Sequence, residues 1–170
     1  GTLVGSYDGG DNLVDSVAVT PDGQHIVSGG DHIVRVWSIA RKSLLSMCRG
    51  HASHVNAVAV TPDGRRVLSG SSDATVRVWR PFAFDPDGLD PAELDGPVME
   101  APTATFSELH SGTVTTVAAL PDNLHALSGA RAAVKLFTLS DGVVLRSITH
   151  QTRVSYKLSL MPDNRRFVTI

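Results

Sequence analysis

"HASHVNAVAVTPDGRRVLSGSSDATVRVW", residues 51–79, decides how the chain is read. The stretch contains His51, Ser69 and Asp73, the three residue types of a hydrolytic triad. It also contains two β-branched, apolar runs, Val-Ala-Val and Val-Arg-Val-Trp, bounded by turn formers as short strands are. Between them stands Pro62-Asp63-Gly64, a tight-turn sequence. Proline presets φ, the aspartate side chain bonds nearby backbone, and glycine accepts positive φ. Arg77 interrupts the closing run with period two, which leaves one face of that strand toward water.

The stretch is not unique. "VDSVAVTPDGQHIVSGGDHIVRVW" (14–37) matches residues 55–79 at most positions and is one residue shorter. "VTTVAALPDNLHALSGARAAVKLF" (114–137) is a third copy, and "VSYKLSLMPDNRRFVTI" (154–170) begins a fourth. Copies three and four carry Asn123 and Asn164 at the turn glycine, and asparagine also visits the left-handed region readily. The period is about 40 residues, the signature of a repeat architecture. Each copy supplies three strands. A fourth comes from the linkers "SLLSMC" (43–48), "TATFSEL" (103–109) and "VVLRSIT" (143–149), with "TLVGSY" (2–7) ahead of copy one. The expected repeats are therefore 2–37, 43–79, 103–137 and 143–170.

These residues resemble WD40 repeats. The family pattern is Gly-His, an apolar strand, Pro-Asp-Gly, Ser-Gly-Ser-x-Asp and a closing tryptophan. Copy two carries Gly50, His51, Pro62, Asp63, Gly64, Ser69, Gly70, Asp73 and Trp79. Copy one has Gly10 at the histidine position and copy three has Arg131 and Phe137 for aspartate and tryptophan. The resemblance implies an all-β fold, a β-propeller of four-stranded antiparallel blades forming an incomplete ring of about four repeats. It also implies a structural relay: Trp79 donating to Ser69, Ser69 meeting His51, and His51 meeting Asp73. Partial relays are expected at Ser28, Asp31 and Trp37, at His110 and Ser128, and at His150. Each such group buried without a partner would cost about 1–3 kcal/mol, so satisfying them together specifies one arrangement. A nucleophilic reading needs an exposed serine on a strained elbow beside an oxyanion hole, and the chain has no G-x-S-x-G. The relay is the reading adopted, and no catalytic residue is assigned.

The remaining chemistry is sparse. His51 and His54 form H-x-x-H, but no second ligand pair follows at zinc spacing, so neither metal nor cofactor is expected. Residues 81–102 carry five prolines, six acids and no base, and read as a solvated loop inserted between third and fourth strands of a blade. "DPDGLDPAE" (85–93) has carboxylates that could clasp calcium but lacks the EF-hand order. Phe82 and Phe84 either pin the loop or face a partner. The net charge of −2 and the absence of basic runs argue against nucleic acid or anionic membrane as the main partner. No apolar run reaches the length of a membrane span. The single cysteine, Cys48, fits an intracellular, cytoplasmic setting, with nuclear or cytoskeletal assemblies as alternatives.

The family implies a rigid platform for proteins or peptides. Its top-face positions fall here on Asp15 and His32 in copy one, His54, Asn56 and Ser72 in copy two, and Arg153 in copy four. The expected function is a non-catalytic scaffold in a multiprotein complex. The alternative is a regulatory or sensor propeller of a larger signalling protein, linked to an NTPase or serving as a ubiquitin-ligase substrate receptor. Missing blades would come from further sequence or another chain.

Overall fold

The structure, a computed structural model, describes residues 6–7, 13–81, 97–131 and 133–149, together with the backbone of 158–160 and 167–169. The first sheet contains β1 (Ser16–Val19), β2 (His25–Gly30), β3 (Ile33–Ser38) and β4 (Ser43–Arg49). The second begins with β5 (Val55–Val60), β6 (Val67–Ser71) and β7 (Val76–Trp79). After β8 (Val98–Glu100), it is completed by β9 (Ala104–Phe106). The third contains β10 (Val114–Ala119), β11 (His125–Ala130), β12 (Ala133–Thr138) and β13 (Val144–Thr149). A hairpin of β14 (Leu158–Leu160) and β15 (Phe167–Thr169) follows. Within each four-stranded meander neighbouring strands run antiparallel. In sequence the outer strand precedes the next copy, yet in space it closes the preceding sheet.

The turn sequences fold as local chemistry dictates. Thr20 Oγ1 lies 2.5 Å from Asp22 Oδ1, the His25 amide donates back to Thr20 Oγ1 at 3.0 Å, and Gly23 takes φ 69°. Thr61, Asp63, Arg66 and Gly64 repeat the arrangement, with φ 70° at the glycine. Asn123 takes φ 58° in the third copy and adds a contact glycine cannot make. Its Oδ1 accepts the Asp63 amide at 2.9 Å, and its carbonyl accepts the Arg66 guanidinium. The glycine-to-asparagine exchange thus ties two neighbouring turns together.

Alternation along the strands builds the core. On β6, Val67 packs into a cluster with Val27, Val34, Val36 and Trp79, while Leu68 packs into another with Val114, Val117 and Phe137. Both faces of the second sheet are therefore buried, and each such aliphatic side chain contributes roughly 1.5–3 kcal/mol. The Ser-Gly pair of the first two copies has its reason at these seams. A Cβ on Gly29 would lie 2.7 Å from Cγ1 of both Val55 and Val58, and one on Gly70 would lie 2.6 Å from Val114 Cγ1. The next sheet's inner valines occupy that space.

The inserted segment departs from expectation. Its proline-rich, acidic composition reads as a solvated loop, yet Val98–Glu100 forms a strand, pairing parallel with Ser46–Cys48 as a fifth strand on the first sheet. The four residues between Pro97 and Pro102 are free of proline, and the edge of β4 offers three of them hydrogen-bonding groups. The calcium-like stretch 85–93, Phe82 and Phe84 lie outside the described residues.

Candidate functional site

The polar chain of the second sheet is continuous. Trp79 donates its indole N–H to Ser69 Oγ at 2.8 Å, Ser69 Oγ lies 2.7 Å from His51 Nε2, and His51 Nδ1 lies 2.8 Å from Asp73 Oδ2. Since Asp73 is an acceptor, His51 carries its proton on Nδ1, and Ser69 donates to Nε2 while accepting from Trp79. Burial drives the His51 pKa down, with the Asp73 hydrogen bond and charge opposing it. For Asp73, burial works upward, but hydrogen bonds from Thr75, His51 and the Ala52 and Thr75 amides outweigh it and hold the carboxyl well below its ordinary value.

The order Asp–His–Ser is that of a hydrolase, and the surroundings are not. Ser69 has 0% exposure, so no substrate carbonyl can reach its oxygen. Its hydroxyl proton is committed to His51 and its lone pair to Trp79. Thr75 is a fifth member that the sequence reading missed: its Oγ1 lies 2.7 Å from Asp73 Oδ1 and 3.2 Å from His51 Nδ1. A hydroxyl two residues after the repeat aspartate was the available signal.

The other copies keep fragments. In the first, Trp37 donates to Ser28 at 2.9 Å. Asp31 is directed elsewhere. The missing residue of copy one converts the β2–β3 connection into a two-residue turn, Asp31 and His32, both at positive φ (28° and 67°), as such hairpins require. Asp31 Oδ2 there accepts the Leu13 amide at 2.8 Å. In the third, His110 Nε2 lies 2.7 Å from Ser128 Oγ, and Phe137 supplies no indole donor. Burial, then the nearby Lys135 charge, pushes the His110 pKa down to about 4. His150 lies outside the described residues, as does Arg153.

The top-face positions separate into two groups. Asn56 and Ser72 are occupied internally: Asn56 Nδ2 donates to Ser72 Oγ at 3.0 Å and to the Val114 carbonyl at 2.9 Å, while Ser72 Oγ donates to Asn56 Oδ1 at 3.3 Å. They stitch the second sheet to the third. Asp15, His32 and His54 instead meet at the seam of the first and second sheets. His54 Nδ1 lies 3.8 Å from Asp15 Oδ2 and 4.0 Å from Asp31 Oδ1, and the His32 and His54 rings stand 5.5 Å apart at 36°. The His54 and Asp15 side chains are 46% and 41% exposed. No group of three or more His, Cys, Asp or Glu fit to hold a metal occurs among the described residues. No described helix is long and apolar enough to cross a membrane. Cys48 is buried, and burial followed by the Glu100 charge pushes its thiol pKa up to about 12, so it stays protonated.

Comparison with known proteins agrees with this geometry. The family described as WD domain, G-beta repeat matches residues 1–38 and 42–80. A search of curated proteins gave no match. Among solved structures the chain is similar to the RRP9 WD40 repeats, with TM-score 0.72 and 20% identity over 89% of this chain and 43% of that one. It is also similar to U3-55K, with TM-score 0.73 and 20% identity over 89% of this chain and 44% of that one. The chain thus spans less than half the length of these structures, and at such identity the likeness concerns the fold. Residues 1–38 and 42–80 thus match as WD40 repeats, and the four-stranded sheets and the polar relay give the described chain the fold of β-propeller blades.

Proposed function

We propose that this chain is a non-catalytic protein-interaction platform whose partner, a protein or peptide within a multiprotein complex, docks on Asp15, His32 and His54. WD40 propellers are generally protein-binding and non-catalytic. The observation that carries the assignment is the division of polar groups. The catalytic-looking set is buried and mutually satisfied, whereas the Asp15–His32–His54 cluster is exposed and spans two blades. Leu13, 59% exposed, lies beside it through the Leu13–Asp31 hydrogen bond and offers an apolar contact. Two carboxylates flanking an imidazole suit a basic side chain on the partner.

The test is affinity capture with the full chain and with an Asp15→Asn, His54→Ala double variant. The proposal expects loss of a captured protein with the melting temperature unchanged; retention of every partner by the variant would sink it.

A further blade is part of this reading. Val14, Val17 and Val19 of the first blade are exposed. Their counterparts Val55, Val58 and Val60 are packed against Val27, Val34 and Val36 of the preceding blade. A blade of the same kind, from the same protein or another chain, would cover the bare valines in the same way.

A further inference from the structure

The first and third blades end on matching outer strands that differ in one respect. On β4, Leu44 pairs with Trp37 and Ser46 with Val36, with Leu45 in the bulge between them. On β13, Val144 pairs with Phe137 and Arg146 with Leu136, with Leu145 in the same bulge. Leu45 is 8% exposed and Leu145 is 53% exposed. The β4 edge carries β8, whereas no described strand pairs with the far edge of β13.

The covered edge shows what the bare one accepts. Val98, Met99 and Glu100 lie parallel to Ser46, Met47 and Cys48, and Ser46 Oγ donates to Glu100 Oε1 at 3.4 Å. The equivalents on β13 are Arg146, Ser147 and Ile148, so an arginine stands where Ser46 meets the carboxylate. The Arg146 side chain is exposed, and among the described residues no side-chain hydrogen bond or ion pair engages its guanidinium. A carboxylate placed as Glu100 is placed would meet a guanidinium instead of a hydroxyl, a stronger and charge-assisted pairing. Backbone ladder bonds would supply the remaining affinity, as in other strand additions to open sheet edges.

We propose that the β13 edge is a docking site for an extended segment of a partner protein with an apolar–x–acidic pattern, added parallel to β13 at Arg146–Ile148 as a fifth strand. The site is separate from the Asp15–His54 surface, so either proposal can fail without the other.

The probe is a synthetic peptide of residues 96–102, Gly-Pro-Val-Met-Glu-Ala-Pro, added in excess to the full chain and followed by hydrogen exchange at single-amide resolution. Slower exchange at residues 146–148 is expected. Reversing the glutamate to lysine in the peptide weakens binding about tenfold, and an Arg146→Glu chain restores binding of that lysine peptide. Arg146 is exposed, so this substitution leaves folding intact, which thermal melting verifies. Unchanged exchange at 146–148, or binding indifferent to the charge swap, overturns the proposal.

Discussion

Gly70 lies directly against Val114: a Cβ built on the glycine would stand 2.6 Å from the valine Cγ1. One atom more at residue 70 therefore forces two blades apart. Gly70→Ala should destabilise the chain by about 1–3 kcal/mol, the usual cost of overpacking. In urea unfolding, Val114→Ala in the same chain should recover part of that loss, because the two changes share one contact. Additive losses would place the strain elsewhere.

Acid should loosen the third blade before the others. His110 is buried and its folded pKa falls to about 4 from an ordinary 6.5, so the native state holds it neutral. Its contribution is fully present above pH 6.5 and is lost as the pH falls toward 4, roughly 3 kcal/mol across the window. His51, shifted in the same direction, adds to the loss. Melting temperatures between pH 7 and pH 4 should fall steeply in the native chain. With His110→Gln, which keeps a polar partner for Ser128, the slope should be shallower; an identical slope would assign the acid sensitivity to other groups.

The fifth strand should guard Cys48. The thiol is 0% exposed and sits in register with Glu100. Replacing Val98, Met99 and Glu100 by Gly, Ser and Gly removes the β-propensity and the Ser46–Glu100 hydrogen bond. Reaction of Cys48 with a thiol reagent under native conditions should accelerate several-fold, and amide exchange at Ser46–Cys48 should accelerate with it. Unaltered reactivity would mean that the first blade protects the thiol unaided.

Asn56 should matter for stability. Its amide reaches across the seam to the Val114 carbonyl at 2.9 Å. Asn56→Ala should cost about 1–2 kcal/mol, since a satisfied carbonyl loses its donor. Partner capture that depended on Asn56 at unchanged stability would return this residue to the binding surface.

What the sequence made legible was what local spacing determines. The Thr-Pro-Asp-Gly turns close through residues two to five apart. The relay joins positions whose separations recur in the repeat. What escaped was set by distance or by a single missing residue. The β8 strand pairs with residues about fifty positions earlier, from within a proline-rich acidic stretch whose composition argues for a loop. The diversion of Asp31 follows from a one-residue deletion that changes the turn type. The need for glycine after Ser28 and Ser69 was visible as a motif, but its cause lies on the next blade.

The central claim is that the serine, histidine and aspartate of the second blade hold the fold together. Ser69→Ala tests it most directly, because this one hydroxyl serves both Trp79 and His51. Removing it leaves the indole N–H and the imidazole Nε2 buried without a partner, at about 2–4 kcal/mol in total. Equilibrium urea unfolding of Ser69→Ala should show the midpoint displaced downward by that amount, with an unchanged denaturant slope. A midpoint equal to that of the native chain would contradict the account.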